Sequence, residues 1–443
     1  MIRINRFAYC LSLLTISMNI QLFAQDEGRL SFDITTFQLE NGLRVILSED
    51  FSLPLVSVVV VYNVGSVNEE PNKTGLALLL ENLMFQGSKN IGPMQHIHFI
   101  QKIGGDLNAA TTEDKTIFYQ TVPSNQLALV LWLESDRMMA LGFDAQKIER
   151  TKRSLIDEIQ HRKADDPYFD SAMYFDRLLY PSDAYSHPVV GGESDLRAMT
   201  IEDVKKFYDT YYSPNNAVLC ITGNFSRRKA KSLVKKYFET IPKGEPIPPF
   251  PAENHSTHGE IVRTLENYTA PTPGFYLGYR IASSTSIDFF ALTIIEYILL
   301  KGRSSRLYNR LFQRDRTARH ISGGIESRKN LATLKIFVRN NTNTMMDRSQ
   351  KAIFSEIGKL KTELISDEEL LKAKNMFKID YVNQYVRLVD RAIFLADRAL
   401  TKNTTDGIAE ELGEYLAVTP SIIIGIANRY LTKESILLNI RTK

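Results

Sequence analysis

Thr74-Gly75-Leu76-Ala77-Leu78-Leu79-Leu80-Glu81-Asn82-Leu83-Met84-Phe85-Gln86-Gly87-Ser88 is the stretch on which the reading of this chain turns. It predicts a helix over residues 75–84, and residues four apart on a helix face the same way. Leu78 and Asn82 therefore share a face, with Glu81 beside the second. Outward from it, strands are predicted near 43–47 and over 55–62, where Ser57-Val58-Val59-Val60-Val61-Tyr62 is strand-like. A helix over 94–103, a strand pair ending at Val122 and a long helix from Ser124 follow. Between Ile241 and His258 the prolines 242, 246, 248, 249 and 251 interrupt every period, and an extended linker is the simplest reading. Beyond it the order repeats, with a strand at 274–279, helices at 286–299 and 304–313, strands near His320 and at 333–338, and a helix from Thr344. Identity between the halves is low, so a diverged duplication rests on element order.

The fold class expected is α+β, with two homologous lobes, each a mostly antiparallel sheet carrying packed helices. Residues 25–240 and 259–443 form the lobes and 241–258 the linker. Two helix starts are legible: Thr200 with Asp203, and Ser366 with Glu369, each set a hydroxyl cap three residues ahead of a carboxyl group.

Composition narrows function by exclusion. With 44% hydrophobic and 24% charged residues, the 443-residue chain is of ordinary globular type. Residues 1–24 read as a secretory signal, with Arg3 and Arg6 at the start, an apolar run to Met18 and a cleavage site after Leu22-Phe23-Ala24. An uncleaved anchor is the competing reading, but Ser12, Thr15, Ser17, Asn19 and Gln21 make the segment weakly apolar for a span. Export to a periplasm or beyond the cell is expected, without a stable membrane span. The 54 basic and 51 acidic residues, less Arg3 and Arg6, leave a mature charge near +1, which does not call for nucleic acid. Only Cys220 remains after processing, read as a core residue on a strand, so a disulfide framework and a cysteine metal site are both excluded.

The quoted stretch resembles the signature helix of the insulinase/pitrilysin-like metallopeptidases, the inverzincins, in which a His-x-x-Glu-His helix carries two zinc ligands and a general base. Gly65-Ser66 stands before it at the family's distance, and Gly104-Gly105-Asp106-Leu107-Asn108-Ala109-Ala110-Thr111 follows with Asp114, Thr116 and Tyr119. Trp132-Leu133-Glu134-Ser135-Asp136-Arg137-Met138, Tyr212-Ser213-Pro214-Asn215-Asn216-Ala217 and Gly302-Arg303-Ser304-Ser305-Arg306-Leu307-Tyr308 extend the resemblance over nearly the whole mature chain.

What the resemblance implies is a dismantled site. Leu78 and Asn82 stand at the two histidine positions, Glu81 at the base, and Glu158, with 75 residues between it and Asn82, at the third ligand. A catalytic zinc needs about three protein ligands and a water; leucine has no lone pair, and an amide oxygen suits harder cations. Zinc is expected to be absent, and Glu81 then has no polarised water to deprotonate. The plain alternative for Glu81 and Glu158 is a solvated or hydrogen-bonded carboxylate on a helix; with Asn82 they could also form an adventitious calcium or magnesium site. Of the seven histidines, His96 and His98 diverge on their helix, His255 and His258 lie in the linker, and His161, His187 and His320 read as structural or surface residues.

Active relatives hold an extended peptide on a sheet edge, which assigns peptide contacts to Gly105, Leu107, Asn108, Ala109 and Thr111; the alternative is that these residues only fold a strand and its turn. Some relatives carry an Arg and, seven residues later, a Tyr that orient substrate; Phe312 and Arg319 stand there instead. Arg303, Arg306, Arg310, Arg314, Arg316 and Arg319 form a candidate anionic-ligand patch, though alternate helix faces explain most of it. The expected function is a pseudoenzyme that binds peptide or pairs with a zinc-bearing sister subunit or a second copy of itself. The rivals are a structural scaffold subunit and an active zinc peptidase with an atypical ligand set.

Overall fold

The computed structural model describes residues 33–142, 144–180, 182–249 and 259–442. The expected signal, and the linker's Pro251, His255 and His258, lie outside the described residues.

Among the described residues, eleven strands form two sheets. The first orders β1-β2-β6-β3-β5-β4, with β1 Ile34–Gln38, β2 Arg44–Glu49, β3 Leu55–Tyr62, β4 Asp106–Thr111, β5 Thr116–Pro123 and β6 Ala217–Gly223. The second orders β7-β11-β8-β10-β9, with β7 Ile261–Glu266, β8 Gly274–Ile281, β9 Ala318–Ser327, β10 Ala332–Asn340 and β11 Ile436–Arg441. Among the described strands only β2 with β6 and β7 with β11 run parallel, so each sheet is mostly antiparallel as expected. Laid side by side, β2-β6-β3-β5-β4 and β7-β11-β8-β10-β9 match in order and in strand sense. The repeat legible as element order is thus a repeat of topology.

Central strands explain the apolar runs. Val58, Val60 and Tyr62 face a core shared with Leu76, Leu79 and Leu83 of the signature helix, while Val59 and Val61 face a second core with Cys220. A strand covered on both faces has no solvated side, so its sequence loses alternation.

What covers the second face could not be anticipated. The helix Leu388–Thr401, from the second half of the chain, lies on β3 and β6 of the first sheet. In return the helix Phe169–Leu179, from the first half, lies on β8 and β11 of the second. Small residues make both contacts close: Ala392 and Ala396 are fully buried, and a Cβ at Gly278 would come within 2.8 Å of Phe175 Cζ. Thr222 Oγ1 donates to Leu388 O at 2.7 Å and Arg391 pairs with Asp50 at 2.9 Å, so polar contacts register the exchanged helix as well.

Both cap readings hold. Thr200 accepts from Asp203 N and Ser366 from Glu369 N, each at 3.2 Å. The helix expected at 304–313 does not form as one element. Arg306–Tyr308 is a single α turn that widens into a π-helix over Asn309–Arg314, with Asp315 N donating to Arg310 O five residues back. The widened turn keeps Leu307 and Leu311 buried, stacks Tyr308 on Phe312 at 4.7 Å and lets Arg310 reach Asp315 at 2.6 Å.

Candidate functional site

The signature helix, Leu76–Leu83, starts from a built N-terminus. Gly75 takes φ +93°, and a Cβ there would meet Val190 O at 2.7 Å, so glycine is required. The buried Glu69 carboxylate then accepts from the Gly75 and Ala77 amides, both at 2.8 Å. Those amides have no partner within the helix, and the positive end of the helix favours an anion there. Thr74 is fixed by Asp195, whose oxygen accepts from its hydroxyl at 2.6 Å.

At the helix end, the Trp132–Met138 motif is fold-bearing. Asp136 accepts from Ser88 Oγ at 2.5 Å and from Asn90 N at 3.0 Å, closing the loop that follows the helix. Glu134 and Arg137, both almost fully buried, pair through Nε at 2.9 Å and a second guanidinium nitrogen, and Gln120 also donates to Glu134. The guanidinium carbon lies 4.0 Å from the Phe118 ring centroid. His96 shares this interior, bonded to Gln120 at 3.2 Å; burial and the Arg137 charge push its pKa down to about 3, which keeps it neutral. His98 is exposed, as divergence on one helix required.

Leu78, Glu81 and Asn82 are all half-buried, on the side of the helix left open by its buried Leu76, Ala77, Leu79, Leu80 and Leu83. Asn82 Nδ2 donates to Leu78 O at 3.0 Å, so the amide folds back on its own helix. Glu81 Oε2 accepts from Thr111 Oγ1 of β4 at 2.6 Å, tying helix to strand. Glu158, on the helix Ala145–Asp165, pairs with Arg162 at 2.5 Å. Burial raises the pKa of Glu81, and the Glu158 charge raises it further against the lowering hydrogen bond from Thr111. The Glu81 and Glu158 carboxylates are thus close enough to feel one another. As a zinc site the donor set does not fit: Leu78 offers no donor atom, Asn82 only the oxygen of an engaged amide, and Glu158 an oxygen shared with a guanidinium. Among the described residues, no three His, Cys, Asp or Glu side chains are grouped so that they could hold a metal.

A raised carboxylate pKa means the folded state binds the proton more tightly than the unfolded chain, so ionised Glu81 weakens the fold. Its penalty is full above the folded pKa and vanishes below the unfolded one. Glu81→Gln is expected to raise the melting midpoint by about 1–3 °C at neutral pH, with the gain lost as pH falls below the ordinary carboxylate range. Thermal melts across pH check it; a destabilised variant at neutral pH would point to a bound cation at Glu81.

Strand β4 is one of the two edge strands of the first sheet and, among the described residues, pairs with β5 alone. Its direction follows from the turn that closes the hairpin. Thr112 N donates to Lys115 O at 2.9 Å, so alternation puts 110/117, 108/119 and 106/121 in the hydrogen-bonded class. Leu107, Ala109 and Thr111 therefore turn N–H and C=O outward. Of the expected peptide contacts, these three turn backbone to the edge, with the Ala109 amide taken by Asn108 Oδ1 at 2.8 Å and the Thr111 amide bonded to Glu81. Gly105 N donates to Ile100 O at 2.9 Å, and Asn108 reaches the edge through its side chain alone.

Half of the arginine cluster is engaged within the chain, while Arg303, Arg314 and Arg316 are exposed. Arg306 grips Glu369 through two 2.8 Å bonds, Arg310 holds Asp315, and Arg319 donates to Asn341. Sequence reasoning missed Glu69, Asp195 and the Glu134–Arg137 pair; a carboxylate six residues before Gly75 was the one local signal available.

Fold and site together define a two-lobed chain of metallopeptidase architecture. The family model described as Insulinase (Peptidase family M16) matches residues 44–184, and that described as Peptidase M16 inactive domain matches residues 198–377. The chain belongs to the insulinase, or M16, family. It is 26% identical over 427 residues to the zinc protease PqqE of Helicobacter pylori (strain ATCC 700392 / 26695), covering 95% of this chain and 94% of that protein. A crystal structure of a protease from Helicobacter pylori superposes with a TM-score of 0.88 at 25% identity, covering 93% of this chain and 99% of the other. A structure described as a peptidase M16 inactive domain from Pseudomonas fluorescens gives 0.83 at 17% identity, over 93% and 98% of the two chains, and shares the fold.

Proposed function

We propose that this chain is an exported, non-catalytic insulinase-family homologue that offers the β4 edge to an extended peptide and works beside a zinc-bearing sister subunit. The observation that carries the proposal is the state of the metal face: an aliphatic side chain at 78, an amide at 82 bonded to its own helix, and Glu158 paired with Arg162. Hydrolysis by the family route needs a cation to polarise water, and Glu81 cannot supply that alone. The relatives named zinc proteases support retention of the scaffold, since the likeness to PqqE runs over nearly both whole chains. No helix among the described residues is long and apolar enough to cross a membrane.

Metal analysis and native purification test this together. Substoichiometric zinc and a co-purifying sister peptidase with both signature histidines are expected. Stoichiometric zinc with chelator-sensitive cleavage by the isolated chain would overturn the non-catalytic reading. A monomer without a sister would remove the partner, and stable residence in a non-peptidase assembly would favour a scaffold.

A further inference from the structure

We propose that Asn108 guards the open edge of the first sheet, its side chain occupying a backbone donor that an incoming strand must take. The inference rests on the reading of β4 as a peptide-capturing edge and adds the residue that sets its affinity. Three N–H groups on this strand face outward, those of Leu107, Ala109 and Thr111, and Ala109 is the central one. Asn108 Oδ1 accepts from Ala109 N at 2.8 Å, while Asn108's own main chain belongs to the class that pairs with Tyr119 of β5. The middle donor is thereby satisfied without a partner strand.

An exposed row of unpaired amides invites indiscriminate pairing, and proteins blunt such edges with polar side chains. A side chain that blunts the edge by filling a donor also competes with any strand that would use it. Asn108 is exposed, so the swing that frees Ala109 N–H moves no packed core atoms. Thr111 is anchored to Glu81 both through its hydroxyl, at 2.6 Å, and through its backbone amide, which leaves its carbonyl for a partner strand. A bound segment would pair at Leu107 and at the Thr111 carbonyl at once and complete the row at Ala109 when Asn108 yields.

The full chain is used for the test, with two readouts. Hydrogen exchange of the Ala109 amide in the free protein reports the cap itself, and Asn108→Ala is expected to speed it by about 5- to 10-fold, the worth of one net hydrogen bond. Fluorescence polarisation of a labelled mixture of random ten-residue peptides reports capture, because main-chain pairing ignores sequence. Asn108→Ala is expected to tighten binding by about 3- to 10-fold, and Asn108→Asp, which keeps the accepting oxygen, to leave it equal or weaker. Ala109→Pro removes the outward donor without touching the bonds to β5 and is expected to cancel the gain. Unchanged exchange, or Asn108→Ala binding no tighter than the parent, overturns the guard. Faster exchange with no peptide bound by any variant leaves the cap real and sinks the peptide-capture reading, taking the guard's function with it.

Discussion

Leu78→His and Asn82→His introduced together are expected to raise zinc affinity by roughly 10^3-fold or more over the parent chain. Removing a group behind the ligands already costs about 10- to 100-fold in such sites, and here two directly bonding nitrogens would be returned. Positions 78 and 82 lie one helical turn apart on the half-buried face of Leu76–Leu83. Two obstacles are small. The Asn82–Leu78 bond disappears with the substitution, and the Glu158–Arg162 pair, with side chains 41% and 56% exposed, is held weakly in water. Competition against a zinc-binding dye measures the gain, and Glu158→Ala in the doubly substituted background should remove most of it. A gain independent of Glu158 would place the metal elsewhere. No gain at all would mean that the scaffold has drifted along with its ligands.

The second large effect concerns stability. Arg137→Met alone is expected to destabilise the fold by about 3–5 kcal/mol, because it strands the Glu134 carboxylate in an interior where that side chain is 1% exposed. Gln120 would remain as the donor to Glu134, and the ring of Phe118 would lose its cation. Adding Glu134→Gln should recover roughly 1–2 kcal/mol, since a neutral amide needs no counter-charge. Urea denaturation of the four proteins in the cycle checks both numbers. Additive losses would show that the pair is wetter than its burial indicates. The cycle also separates the fold-bearing role of the Trp132–Met138 motif from any role in chemistry, as neither residue approaches Glu81 or Glu158 through a hydrogen bond among the described residues.

Much of this protein was legible before any coordinate. The signature helix, the extended runs around it and the hydroxyl caps at Thr200 and Ser366 are local patterns, fixed by neighbours within one or two turns. The chemistry missing at 78 and 82 is equally local, because a leucine has no lone pair in any fold. The resemblance singled out Glu158, which lies on the helix Ala145–Asp165, and the residues of β4, although not which of them point outward. That distinction needed the Thr112–Lys115 turn bond, which sets the parity of the whole hairpin.

Other features have a faint local signature or none. Glu69 reads as one charged residue beside another, and only folding brings it under the Gly75 and Ala77 amides. Arg306 and Arg310 read as part of a basic patch until Glu369 and Asp315 arrive to neutralise them. The π-helical turn after Tyr308 arises because buried Leu307 and Leu311 and the Arg310–Asp315 bond must be satisfied together.

Taken alone, the sequence determined the signature helix, the strands around it, the duplicated order and the donor chemistry available at 78 and 82, since each depends on side-chain chemistry or on periodicity within a short segment. Tertiary structure decided the rest: the exchange of Phe169–Leu179 and Leu388–Thr401 between sheets, the interior charge pair and the free parity of β4. The exchanged helices meet strands about a hundred residues away or further, as Thr222 meets Leu388, while the charge pair and the turn join residues three apart whose burial and parity only the surrounding core and sheet decide. No short-range pattern encodes which distant surface will exclude water from them.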